Sequence, residues 1–330
     1  MNKCLNQPRL FVDQSLEGIL MAYSSFYKRG GKDCHAIIHP VSGPKVKIIT
    51  GGGYGHLPVF LGYVGDGLCD GVAVGNVFTS PSCESILNAV HALDPKQGVL
   101  FLFGNYFGDT MNFEMASEVL AQEGIAVRTV KMSDDIASAP RNDYTNRRGI
   151  AGITFAYKIA GACAAAGKSL EEVERVTLET VENTASFGVA FSSCILPEQE
   201  QPIFTIAEGE MEIGMGIHGE PGIAHAPMQT SAVIAKRLSD TVAEDLKLQS
   251  GEQIAVLVNG LGSTSREELF VFYRDIQRLL DARGLIIARA FVGEYATSLE
   301  MAGLSLSILR LNEERERYLN ATVYTPFISF

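Results

Sequence analysis

In the first half of the chain, short runs of β-branched and aromatic residues alternate with longer segments whose apolar positions recur every three or four residues. Residues 45–50 read as a strand that runs into Gly51-Gly52-Gly53, and residues 98–103 as a buried strand ending at Gly104-Asn105. Between them Ile86, Leu87, Val90 and Leu93 share one face of a helix predicted over 82–93. A helix is predicted over 112–123 and a further strand over 126–130. This β-α-β-α-β order predicts an α/β architecture, a mostly parallel sheet flanked by helices. Ligands of such sheets bind beyond the carboxyl ends of the strands, so the glycine-bearing segments 51–56 and 104–109 are expected to face one pocket.

Residues 146–166 are rich in Ala and Gly and predict a closely packed helix, and Ser169 with Glu172 forms a capping-box signature for another helix reaching Glu182. The polar, proline-bracketed segment 197–202 reads as a linker. Beyond it the pattern predicts strands at 204–207 and 211–216 near a hairpin, a loop at 217–222, and a helix at 230–246. Further on it predicts a strand at 252–258, a helix at 265–283, and strands at 285–292 and 305–311. Two domains follow: an N-terminal α/β domain over 1–190 and a smaller C-terminal α+β domain over 200–330.

The 330 residues are 46% hydrophobic and 20% charged, with Lys+Arg 27 against Asp+Glu 38 and a net charge of −11. The basic footprint of a nucleic-acid binder is missing, and no apolar run approaches the roughly 18–20 residues of a membrane span. The amino-terminal residues lack the apolar core of a signal peptide, so a cytoplasmic location is expected. An acidic chain suits a highly anionic ligand such as ATP only where a local device compensates. The six cysteines, Cys4, Cys34, Cys69, Cys83, Cys163 and Cys194, form no C-x-x-C pair and are expected as free, mostly buried thiols.

Gly51-Gly52-Gly53-Tyr54-Gly55-His56 matches neither the P-loop nor the G-x-G-x-x-G pattern, and a tight turn and a ligand loop both remain open for it. His56 favours the ligand loop, as hydrogen-bond donor or proton carrier. Asp109 fits a helix N-cap and equally a general base for a substrate hydroxyl. His218, between Ile217 and Gly219 in a segment with Gly216, Pro221 and Gly222, is expected on a sharply turned loop, with its imidazole available as nucleophile or metal ligand. His225 lacks close His or Cys partners, so no metal site is expected. His35, His39 and His91 read as surface or turn residues, and 259–264 as a tight turn after a strand.

The strings GGGYGH, GYVGDG, VFTSP, NYFGD, NRRGIAG, MEIGMGIHGEPGI, VNGLGSTSREEL and TSLEMAG, in this order, resemble the K subunit of dihydroxyacetone (glycerone) kinases. The resemblance implies a homodimer that binds dihydroxyacetone or a related hydroxyketone, with His218 capturing the carbonyl carbon as a covalent hemiaminal. It implies His56 and Asp109 as the acid/base pair, with Gly53, Tyr54, Gly55, Gly104 and Asn105 around the substrate. It also implies that this chain binds no cofactor or metal itself, and that ATP or ADP with magnesium sits on a separate L-type subunit. Tyr54, Leu57 and Gly104 stand where the family usually has Ser, Glu and Lys. Loss of that lysine is expected to open room for a larger ketose such as erythrulose, or to mark a catalytically silent ketone sensor acting as a transcriptional co-activator.

Overall fold

The computed structural model describes residues 3–32, 35–41 and 43–328; Cys34 lies outside them. The first half contains α1 (Phe11–Ala22), β1 (Lys28–Arg29), β2 (Ala36–Ile38), β3 (Lys47–Tyr54), β4 (Gly71–Val77) and α2 (Cys83–His91). It continues with β5 (Val99–Gly104), α3 (Phe107–Gln122), β6 (Val127–Met132), α4 (Ile153–Ala165) and α5 (Leu170–Glu182). The second half contains β7 (Thr184–Ala190), β8 (Glu210–Ile213), β9 (Ala224–Pro227), α6 (Ser231–Leu246) and β10 (Gln253–Gly260). It ends with α7 (Arg266–Ala282), β11 (Ile286–Gly293), β12 (Gly303–Arg310) and α8 (Glu313–Leu319).

Two six-stranded sheets result, in the orders β1-β2-β4-β3-β5-β6 and β11-β10-β12-β7-β8-β9. In the first, β4, β3, β5 and β6 are parallel, as the alternation of strands and helices predicts. In the second, only β10 and β11 pair in parallel.

Both sheets share one helical layer. Every residue of α4 from Ile153 to Ala164 is buried; most are small or apolar, and the polar ones are bonded, Thr154 to Tyr63, Tyr157 to Thr50 and Lys158 to the Ala321 carbonyl. One cluster joins Val72 and Leu102 of the first sheet, Phe155 and Ile159 of α4, and Leu257 and Phe291 of the second. The alternation along β10 then sends Ile254, Val256 and Val258 to the other face, against Leu238 and Val242 of α6 and Phe272 and Ile276 of α7. On the far face of the first sheet, Ile49, Phe101 and Phe103 pack on Ile86 of α2 and Phe113 of α3. The layers are therefore helices, sheet, shared helices, sheet, helices.

This arrangement corrects parts of the sequence reading. β7 belongs to the second sheet, so the sheets divide between α5 and β7; the linker at 197–202 merely connects two strands of one sheet. The second sheet has as many strands as the first, and its core is continuous with that of α4. No strand forms at 204–207; β8 instead forms its hairpin with β9, closed by the 214–223 loop that carries His218. β4 escapes a hydrophobicity-based reading because two of its seven residues are glycine. His39 is buried, stacked on Phe26 and bonded to Asp66. Of the described cysteines, Cys69, Cys163 and Cys194 are buried, Cys83 is half-buried and Cys4 is exposed, all as free thiols. Among the described residues no helix is long and apolar enough to cross a membrane.

Candidate functional site

Gly51, Gly52 and Gly53 lie within β3; Gly51 and Gly52 pair with Ala73 and Val74 of β4, and Gly53 falls at a register shift before Tyr54 pairs with Val77, so the triplet is strand rather than a phosphate loop. A Cβ at Gly53 would lie 2.6 Å from the Thr79 nitrogen; glycine there lets the segment after β4 close over the end of β3. Gly55 then turns the chain at φ +107, where a Cβ would also lie 2.8 Å from the Phe78 ring. Gly55→Ala is expected to lower stability by about 1–3 kcal/mol, measured by chemical denaturation, because strain and clash act together.

This turn delivers His56 into the interior. Its imidazole is fully buried, stacks flat on Phe78 at 4.8 Å, and donates from Nδ1 to the Thr297 carbonyl at 2.7 Å. A carbonyl only accepts, so Nδ1 carries the proton and Nε2 presents a lone pair. Burial lowers the pKa of His56 to about 3, with the neighbouring His218 adding to the effect. The ring is thus neutral at physiological pH and presents an acceptor at Nε2.

Residues of the second half hold this histidine. The Leu299 amide donates to Gly55, the Thr297 amide to His56, and the Thr297 hydroxyl to Leu57. On the other side of the same loop the Ser298 hydroxyl donates to the Ile217 carbonyl at 2.5 Å. The 297–299 segment therefore clips the end of β3 to the His218 loop. Phe78 and Leu299, which flank Gly55, both adopt positive φ, a strain typical of segments fixed by a site.

His218 sits edge-on to three rings: Tyr106 at 4.6 Å, His56 at 4.7 Å and Phe78 at 5.5 Å. Its Nδ1 meets Glu220 Oε1 at 2.9 Å, and its backbone amide donates to Glu220 Oε2 at 3.0 Å. Burial would raise the Glu220 carboxyl, but the hydrogen bond and charge of His218, its own backbone and Arg148 hold it at about 2.

Asp109 is buried at the start of α3, beyond the carboxyl end of β5. The N-cap is Tyr106, and Asp109 is the third residue of the helix, so the capping role considered for it falls away. Burial raises its carboxyl to about 6, opposed by a hydrogen bond with Ser80 and by the charge of His218. His56 Nε2 and Asp109 Oδ1 are both buried without a hydrogen-bond partner. Leaving such an atom unpaired costs about 1–3 kcal/mol, which a ligand hydroxyl would offset.

Tyr54, Asn105 and Gly104 are held by contacts of their own. The Tyr54 hydroxyl bonds Ser15 at 2.5 Å, and its ring meets Phe11 edge-on, so its phenol is directed to α1. The Asn105 amide donates to the Thr145 and Arg147 carbonyls, which holds that segment in place. A Cβ at Gly104 would come within 3.1 Å of the Tyr106 ring, so this ring, anchored through its hydroxyl to the Gly149 carbonyl, occupies the ground beside Gly104. Glu220, Tyr106, Phe78 and Ser80 carry no individual signature in the sequence, although all four lie inside the strings HGEPG, NYFGD and VFTSP.

A buried carboxylate and a neutral buried imidazole beyond the strand ends of the first sheet, facing a carboxylate-backed imidazole on the β8–β9 loop of the second, can together accept hydrogen bonds from a small polar molecule bearing hydroxyl groups. The Dak1 domain model matches residues 17–327, and the chain belongs to that family. It is 44% identical to the D-erythrulose kinase of Mycolicibacterium smegmatis over 99% of this chain but 56% of that protein, so it spans about half the length of that relative. It is 40% identical to the dihydroxyacetone-binding subunit DhaK of PTS-dependent dihydroxyacetone kinase 2 of Listeria innocua, covering 99% of both chains. Among solved structures, the dihydroxyacetone kinase of C. freundii superimposes with a TM-score of 0.88 at 32% identity, over 98% of this chain and 59% of that one. The dihydroxyacetone kinase operon co-activator Dha-DhaQ does so with a TM-score of 0.87 at 32% identity, over 94% of this chain and 96% of that one.

Proposed function

We propose that this chain is the ketone-binding part of a dihydroxyacetone-type kinase, which presents a short hydroxyketone for phosphorylation by a nucleotide-bearing L-type subunit or domain. The observation that carries this is the placement of two unpartnered buried acceptors, His56 Nε2 and Asp109 Oδ1, beside the imidazole of His218. His218 adds through Nε2 to the carbonyl carbon, forming a carbon–nitrogen bond while the carbonyl oxygen takes a proton. Covalent capture selects ketones over polyols, which have no carbonyl to trap. His56 accepts a hydrogen bond from a hydroxyl of the adduct. Asp109 accepts the proton of the terminal hydroxyl as that oxygen attacks the phosphoryl donor. A carboxyl raised to about 6 is ionised near neutral pH yet basic enough to serve.

Dihydroxyacetone is the first substrate to test. A second reading, erythrulose, is favoured by the 44% identical D-erythrulose kinase and the 41% identical L-erythrulose kinase of Pectobacterium atrosepticum. The assay combines this chain with a purified L-type subunit, phosphoryl donor and a panel of dihydroxyacetone, both erythrulose enantiomers and glycerol. Turnover of at least one ketose and none of glycerol is expected. Binding of a ketose without turnover of any would contradict the kinase and favour the sensor.

A further inference from the structure

The addition of an imidazole to a ketone needs one ring nitrogen free of its proton and leaves positive charge on the ring, so whatever touches the other nitrogen controls the reaction. At His218 that group is Glu220. Its Oε1 lies 2.9 Å from Nδ1, while its Oε2 accepts the backbone amide of His218 itself, so one carboxylate fixes both the ring and the backbone that carries it. A Cβ at Gly216 would lie 2.1 Å from Glu220 Oε2, so the loop has been kept bare where the carboxylate folds back. Behind it Arg148 approaches to 4.0 Å, itself held by Asp135 through Nε at 2.9 Å and Nη2 at 2.7 Å. His56 and Tyr106 face the ring from the first half of the chain, and neither meets Nδ1 with a hydrogen bond.

We infer that Glu220 is the positioning residue of His218: its carboxylate holds the ring in the tautomer with the proton on Nδ1, leaving the Nε2 lone pair for the ketone, and then pairs with the cationic ring that capture creates. In the capture step the Nε2 lone pair forms the bond to the carbonyl carbon. The π pair of the carbonyl passes to its oxygen, which takes a proton from water, and the proton on Nδ1 stays in place facing Glu220. The sum is one ketone and one proton added, with the new ring charge balanced by a carboxylate already present. This inference rests on the reading of His218 as the capturing nucleophile.

The test uses the full chain labelled with 15N-histidine, in wild type, Glu220→Gln and Glu220→Ala, without and with dihydroxyacetone labelled with 13C at C2. The glutamine keeps an acceptor for Nδ1 but no charge. It should retain the Nδ1-protonated tautomer while weakening adduct formation roughly 10-fold, and Glu220→Ala should lose the tautomer preference and weaken capture roughly 100-fold. A purely structural role would leave the tautomer signals of the folded variants as in wild type. An adduct of wild-type affinity and an unchanged tautomer in folded Glu220→Ala would overturn the role of Glu220 alone. Absence of any adduct in wild type would overturn His218 as the nucleophile, and with it the charge pairing inferred for Glu220.

Discussion

Asp109→Asn is expected to lower phosphoryl transfer by at least about 100-fold while making the folded chain more stable at neutral pH. The loss follows from removing the base that takes the hydroxyl proton. The gain follows from linkage. Burial, the larger influence, lifts the Asp109 carboxyl to about 6 against the pull of Ser80 and His218. The folded state therefore holds this proton more tightly than the unfolded chain. Stability contributed by the site is greatest in acid, falls as pH rises from the ordinary carboxylate range through about 6, and is fully lost above it. Asparagine, similar in shape and uncharged, removes a cost on the order of 3 kcal/mol above that range and changes little near about pH 4. Denaturation of both proteins at the two extremes, beside the kinase assay, checks this. A variant that keeps its activity would show that Asp109 is not the base, and one destabilised equally at both pH values would show that it is not a strained carboxylate.

His218→Ala is expected to abolish covalent capture and to lower kcat/KM for the ketose by at least about 1,000-fold, since binding and orientation both pass through the bond it forms. Its ring is partly exposed and lies on a loop rather than in the core, so the fold should survive. His56→Ala should behave differently. His56 bridges to Thr297 and stacks on Phe78, so its loss weakens both the clip between the two halves and the hydrogen bond to the adduct, while capture itself persists. Comparing the two variants separates the nucleophile from the histidine that supports it.

The first sheet was legible because its strands β5 and β6 and helices α2 and α5 follow simple periodicities, and the capping box at Ser169 is present as read. The glycine triplet before Tyr54 misled, because glycine favours turns locally while tertiary packing here needs a strand with no side chain where the 78–79 segment closes in. The same effect shortened α3. Gly108 and Asp109 weaken local helix propensity, yet the helix starts at Phe107 and so buries Asp109 on its first turn. His56, Asp109 and His218 could be named from residue type and loop context. That His56 and Asp109 face one pocket follows from the parallel strand order, but how the His218 loop is fastened beside them does not, because the contacts of the 297–299 clip and the Tyr106 ring join segments distant in sequence. Glu220 was near in sequence, but a carboxylate two residues from a histidine pairs with it only when the loop folds back, as it does here.

Covalent attachment of a ketone to His218 is open to direct observation. Carbon-13 spectroscopy of the wild-type chain with dihydroxyacetone labelled at C2 tests it most directly. Capture predicts that the bound signal leaves the carbonyl region for that of a tetrahedral carbon bearing oxygen and nitrogen, and that this signal is missing with His218→Ala. A bound signal that stays in the carbonyl region, or a tetrahedral signal that persists in His218→Ala, would contradict the account.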